Sequence, residues 1–299
     1  MNTDLWPLAW EALQALTAHY GPAIDHAAEG VGIPFHEWYG WLMAARIFEP
    51  DPVSAARLQR RSTYTSLSKL EDHLAKGVHL GLLAPVAPGE YRLTQAGHAA
   101  VRHLIDTAYA AMTPLHPLPE ADLARLADLL HRLVQASLAA PEPPDKWGLH
   151  IARHYDPGVD APAMVRMDQY LSDLNAYRDD AHLAAWQPYG VSGQAWEAFT
   201  LLWRGAATTP DELHARLLHR GYPREAYAAA LDGLVGRGWV GQDGESWQLT
   251  AAGRAVREQV EEATDRYFYA AWACLRETET AELRDLLVRF REGLDRLRE

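Results

Sequence analysis

Hydrophobic positions recur with a helical period over most of the chain, and the pattern is clearest in the second half. In VSGQAWEAFTLLWRG (191–205), Ala195, Phe199, Leu202 and Trp203 share one helix face. TTPDELHARLLHRG (208–221) carries its own start and stop signals. Thr209 is an N-cap, Pro210 fits the first helical position, Glu212 completes a capping box and Gly221 ends the helix. A third helix is predicted over 222–238, with Tyr227, Leu231, Leu234 and Val235 facing inward. WVGQDGESWQLT (239–250) reads as a hairpin, because Asp243-Gly244 favours a tight primed turn. Two long amphipathic helices close the chain.

The first half predicts the same order. Asp51-Pro52 stands where Thr209-Pro210 stands later, and LLAPVAPGEYRLT (82–94) is the hairpin. Leu67, Leu70, Leu74 and Val78 are the inward face of its third helix. Opening helices with apolar stripes precede each half: Trp6, Trp10, Leu13 and Leu16, then Met167, Tyr170, Leu174 and Tyr177.

The text itself repeats. EYRLTQAGHAAV (90–101) returns as SWQLTAAGRAVR (246–257), with Thr94 and Thr250 as helix caps. Glu120 aligns with Thr280 and Gly30 with Gly190, both at an offset of 160, which drifts to 156 between Thr94 and Thr250 as loop indels would cause. We read two copies of one unit over 4–138 and 164–298. The expected domains are 1–138 and 164–299, separated by a semi-rigid connector, 139–163, that holds Pro141, Pro143, Pro144, Pro157 and Pro162.

Three helices, a two-stranded wing and a long helix make a winged helix-turn-helix. With an extra opening helix and a further closing one, the arrangement resembles the MarR family of transcription regulators. The residues that carry the resemblance are the close of the third helix (Leu74 to Leu83; Leu231 to Val240), the LTxAG step and the long closing helices. The acidic-x-arginine element of that family's wing is absent from both copies. The resemblance implies dimerisation through the first and last helices, and therefore a single-chain pseudo-dimer with an internal pseudo-two-fold. The expected fold is mainly α with small β-wings: two tandem winged helix-turn-helix domains, with long flanking helices in a shared intramolecular dimerisation bundle. The resemblance also implies a small aromatic ligand between bundle and winged helix, beside His36, Trp38 and Trp41 in one copy and Trp196 and Trp203 in the other; ordinary aromatic packing is the alternative.

Composition narrows the functions. A net charge of -12 gives no global attraction to nucleic acid, so any DNA contact must be a local patch. One is expected on double-stranded DNA around the third helix of the first copy: Arg57, Arg60, Arg61, Ser62, Thr65, Ser66, Lys69, His73 and Lys76, with Arg92 in the wing. The matching face of the second copy, Glu225, Ala229, Asp232, Gly233 and Gly236, carries acids and no base, and reads as degenerate for base readout. No apolar run reaches the ~20 residues that span a bilayer. The start of the chain lacks a signal-peptide pattern, so the expected location is the cytoplasm.

His150 and His154 at i, i+4, with Asp156 and Asp160 close behind, could share a metal on a helix, but the Glu of an HExxH motif is absent and the stretch lies in the connector, so they read as solvated or packing residues; Asp179, Asp180 and His182 read as a polar helix face. The single cysteine, Cys274, reads as a buried small hydrophobe. No phosphate-binding glycine loop, nucleophile elbow or triad is visible, so neither an enzyme nor a cofactor is expected. Two function classes stay open: a DNA-binding regulator, and a protein-interaction or ligand-binding module on a retired winged-helix scaffold.

Overall fold

The computed structural model describes residues 4–33, 37 and 39–298. The described chain is mainly helical with two small antiparallel hairpins, as predicted. The first half runs α1 (Leu5–Glu29), a π-helical turn (Tyr39–Met43) into α2 (Ala44–Ile47), α3 (Ala55–Arg61), α4 (Leu67–His79), β1 (Leu83–Ala87), β2 (Glu90–Leu93), α5 (Gln95–Met112) and α6 (Glu120–Ala139). A short α7 (Trp147–Ala152) follows. The second half repeats the order as α8 (Ala163–Trp186), α9 (Gly193–Trp203), α10 (Pro210–Arg216), α11 (Arg224–Gly236), β3 (Val240–Asp243), β4 (Ser246–Leu249), α12 (Ala251–Ala270) and α13 (Glu277–Arg296).

The repeated stretch has a physical reason. Thr94 Oγ1 accepts the Gly97 N–H and donates to the Gly81 carbonyl; Thr250 Oγ1 accepts from Gly253 and donates to Gly238. Each threonine thus caps a long helix and ties it to the end of the helix before the wing. Gly97 and Gly253 follow because the backbone passes close there. A Cβ would stand 2.2 Å from the Leu82 carbonyl oxygen in one half and 2.0 Å from that of Trp239 in the other. The hairpin forms as predicted, but its two-residue turn is Gly244-Glu245, one position later than expected: Asp243 pairs with Ser246, and Gly244 sits at φ 60°. At Thr209 the capping box closes one residue early: the Glu212 carboxylate takes the N–H of Thr208.

The long helices pack as one bundle. α1 lies on α5 and α8 on α12; across the halves, α1 lies against α13 and α8 against α6; α1 meets α8 and α6 meets α13. Exchanging the halves leaves this set of contacts unchanged. Arg125–Glu282 and Arg132–Glu279 ion pairs join α6 to α13 at 2.7 and 2.6 Å. The opening stripes are buried at Leu13, Leu16, Met167, Tyr170, Leu174 and Tyr177, while Trp10 is 40% exposed at the rim. One hydrophobic core runs through the first winged unit and the bundle; the second winged unit has its own, around Trp186, Trp196, Phe199 and Tyr227.

The proline-rich stretch is more than a spacer. Lys146 Nζ bonds the carbonyls of Ser137, Leu138 and Ala140 and so caps the C-terminus of α6. Asp180, on α8, accepts the N–H groups of Gly148 and Leu149, both at 2.8 Å, and caps α7. The polar helix face expected at Asp179, Asp180 and His182 is therefore corrected in part: Asp179 is exposed, but Asp180 is buried and His182 turns into the second unit. Cys274 is corrected too, since it is exposed in a short 3-10 turn.

Candidate nucleic-acid interface and junction crevice

The two helix-turn-helix units meet at their turns. The turn between α3 and α4, residues 62–66, is docked on the second half. Ser66 donates its N–H to the Arg220 carbonyl at 2.9 Å and its hydroxyl to the Gly221 carbonyl at 3.1 Å. Lys69 packs over Gly221, which sits at φ 76°, so close that a Cβ there would lie 2.7 Å from Lys69 Cβ. The Thr63 carbonyl lies closer still over Gly193, where a Cβ would stand 2.3 Å from its oxygen. Tyr64 enters the second core. Its ring stacks on Trp186 at 6.2 Å, the Arg220 guanidinium lies 5.5 Å from its centroid, and burial pushes its phenol pKa up.

This seam changes the picture of the first reading helix. Helical phase put Thr65 and Ser66 on an outward face; they are 7% and 5% exposed, and the other half covers Ser66. Phase also put Leu67 inward, and it is 45% exposed. Ser62 is half-buried at the C-cap of α3. The most open positions of α4 include Glu71 and Asp72. His73 is half-buried, and burial pushes its imidazole pKa down. Arg61 is half-buried beside the seam.

The remaining bases have acidic or carbonyl partners. Arg57 pairs with Asp51 at 2.8 Å and Lys76 with Glu37 at 2.7 Å. Arg60 pairs with Asp145 at 2.7 Å and lies 4.4 Å from the Trp147 ring centroid. Arg92 donates to the Pro50 carbonyl. In the second half, Arg220 holds Glu197 and Arg224 holds Asp211 through paired hydrogen bonds. Glu225, Ala229, Asp232, Gly233 and Gly236 are exposed, as phase predicted; Tyr227, Leu231 and Leu234 are buried, but Val235 is 40% exposed.

Aromatic residues do gather at the junction of bundle and second winged unit. Trp196 is 1% exposed and stacks on Trp186 at 5.4 Å with a 7° interplanar angle. The Arg257 guanidinium is sandwiched between Trp196 and Trp203, at 4.7 and 4.8 Å from their centroids. His182 accepts the Trp196 indole N–H on Nε2 at 3.3 Å, which leaves Nδ1–H to donate to Thr264 Oγ1 at 3.2 Å. Burial, then the charges of Arg257, Arg178 and Arg204, push the His182 pKa down to about 3, so it is a neutral linker. Beside this layer a crevice of about 350 Å³ opens, with Trp6 and Trp10 on its wall. In the first half Trp41 is 0% exposed, packed on Gly77. His36 and Trp38 lie outside the described residues.

Sequence reasoning missed Tyr64 and Arg257. Tyr64 gave no signal within its own unit. Arg257 did: the repeat pairs it with Val101, and both positions are 1% exposed. An arginine in a valine's place in a core is a readable anomaly. Among the described residues, no group of His, Cys, Asp or Glu could hold a metal, and no helix is long and apolar enough to cross a membrane.

Residues 160–296 match the model of a helix-turn-helix family, so the second half is a helix-turn-helix domain. No curated protein and no solved structure matches the chain.

Proposed function

We propose that this helix-turn-helix chain is a DNA-binding transcription regulator of MarR-like type, in which one polypeptide supplies both units of a pair. The observation that carries the reading is the bundle, whose six main helix pairings are unchanged when the halves are exchanged, as a fused two-fold dimer requires. The repeated Thr and Gly of the LTxAG step support duplication of one ancestral unit. DNA contact falls mainly to the first half, because the exposed face of α11 is acidic.

The free chain rests closed. Bases are reached by the first turn of a reading helix, and paired units read half-sites about 34 Å apart. Here the first turn of α4 is bonded to the turn before α11. Opening the seam would uncover Lys69 and Ser66.

Duplex binding at low salt tests this. Lys69→Glu with Arg61→Glu reverses charge at the contact and is expected to abolish binding. Arg224→Glu is expected to weaken it little, since Arg224 already neutralises Asp211. Equal losses from both would contradict the asymmetric reading.

The junction crevice favours a second reading, a ligand-binding module whose winged helices no longer read DNA. The internal pairing of most interface cations supports it as well.

A further inference from the structure

We propose that the second winged unit is a lid on the reading turn of the first, and that it is the unit that moves when the seam opens. The connector straps the first unit to the bundle and keeps it still. The inference rests on the DNA-binding reading above and names how that site is regulated.

The two winged units are held unequally. The first shares a core with the bundle: Leu58, Leu70 and Leu74 are buried in the same cluster as Leu16, Leu130 and Leu174. The second has its own core, and Tyr267, on α12, packs against both. A fold opens most readily between cores, where the fewest buried apolar contacts are lost. The connector adds a further restraint to the first unit. The Trp147 ring centroid lies 4.4 Å from the Arg60 guanidinium and 5.9 Å from the Phe48 centroid. His154 Nδ1 donates to the Ile47 carbonyl at 2.5 Å, and the Tyr155 hydroxyl to that of Met43 at 2.7 Å. The other side of this strap is tied to α8: Arg153 donates to Asp173, and the N–H groups of Gly148 and Leu149 to Asp180.

The second unit hangs on α8 and α12, and each offers a place to bend. Gly190, at φ 66°, stands between α8 and α9. Inside α12, Thr264 Oγ1 donates to the Val260 carbonyl at 2.8 Å, a bond that bends helices. Ala108, with no hydroxyl, holds the matching position of α5.

Closed, the lid occupies the groups that a duplex would use. The N–H and hydroxyl of Ser66 are bonded to the carbonyls of Arg220 and Gly221, and Lys69 packs over Gly221. The same lid carries Glu225 and Asp232, exposed on α11, which repel phosphate. Lid and duplex therefore compete for one turn. A lid open in about one molecule in a hundred weakens duplex binding about a hundredfold. The acidic second copy thus keeps a role after losing base readout.

Spin labels test which unit moves. In a Cys274→Ser chain, a label at Glu292→Cys on α13 is paired with one at Glu245→Cys in the second wing or at Ala87→Cys in the first; all three sites are exposed. Label distances are measured by electron paramagnetic resonance with the seam intact, with Gly221→Val, and with saturating duplex at low salt. Gly221→Val is expected to shift the distance to the second wing by several ångströms and leave the distance to the first wing unchanged. Duplex should produce the same second-wing shift with the seam residues native. Gly221→Ala, whose Cβ meets Lys69 at the same place, replaces the valine if that chain does not fold. A first wing that moves with the second overturns the proposal. So does a second wing that stays in place in the duplex complex or in a folded Gly221→Val chain. Duplex binding by none of the chains, with the second wing still released by Gly221→Val, overturns the regulator reading on which the lid's role depends, and not the motion.

Discussion

Gly253 shows how a single atom fixes a position in this fold. Its missing Cβ leaves room for the Trp239 carbonyl, so Gly253→Ala drives two backbones apart. A loss of about 1–3 kcal/mol is expected in urea denaturation, the range of overpacked cores. A second residue-scale effect is electrostatic. Asp168, on α8, accepts the Tyr20 hydroxyl at 2.8 Å, and burial pushes its carboxyl pKa up to about 6. Its folded pKa is raised, so the folded chain holds the proton more tightly than the unfolded one. The penalty for ionisation is absent below its ordinary value and complete above about pH 6. Asp168→Asn keeps the acceptor and removes the charge. It should add on the order of 1–2 kcal/mol of stability at pH 8 and almost none at pH 4, measured by urea denaturation at each pH. Residue types announced the caps at Thr94 and Thr250, because capping is local chemistry. They did not announce the environment of Cys274, because nearby Ala and Trp residues suggest burial whether or not a neighbour covers the turn.

At the scale of elements, helical period located α4 and α11 and the faces they bury on their own units: Leu70 and Leu74, and Tyr227, Leu231 and Leu234. It failed at Thr65, Ser66 and Leu67, since a single periodicity can report only one core. The first turn of α4 serves two surfaces, and the second belongs to a unit about 155 residues away in the chain. The connector was misread for the same reason: its prolines suggested a spacer, whereas Lys146 and the α7 backbone are tied to α6 and α8. The crevice was half legible. Trp196 and Trp203 marked the junction, but the charges facing it come from α8, α9 and α12 and converge only on folding. The seam gives an element-scale prediction. Tyr64→Ala removes a ring that belongs to the first half and fills the second core, and should cost about 2–4 kcal/mol in denaturation. It should also raise the hydrogen exchange of α9 and α11 above that of α5. Loss of protection confined to α3 and α4 would show that the seam is not shared.

For the whole molecule, the bundle and the seam act on the same pair of units. The bundle joins the halves through α1, α6, α8 and α13, and the seam holds their reading turns together. A chain of net charge -12 whose interface cations are mostly paired has little long-range pull on DNA. Binding must come from bases uncovered locally, and Lys69 is the one that the seam covers. The most direct measurement is therefore fluorescence anisotropy with a labelled duplex at low salt, comparing the native chain, Gly221→Val and Gly221→Val with Lys69→Glu. Valine at φ 76° is strained, and its Cβ would strike Lys69, so it should part the turns without touching the bundle. The account predicts that Gly221→Val binds the duplex at least tenfold more tightly than the native chain, and that adding Lys69→Glu removes the gain. Unchanged affinity in a folded Gly221→Val chain, or binding by none of the three, would contradict it.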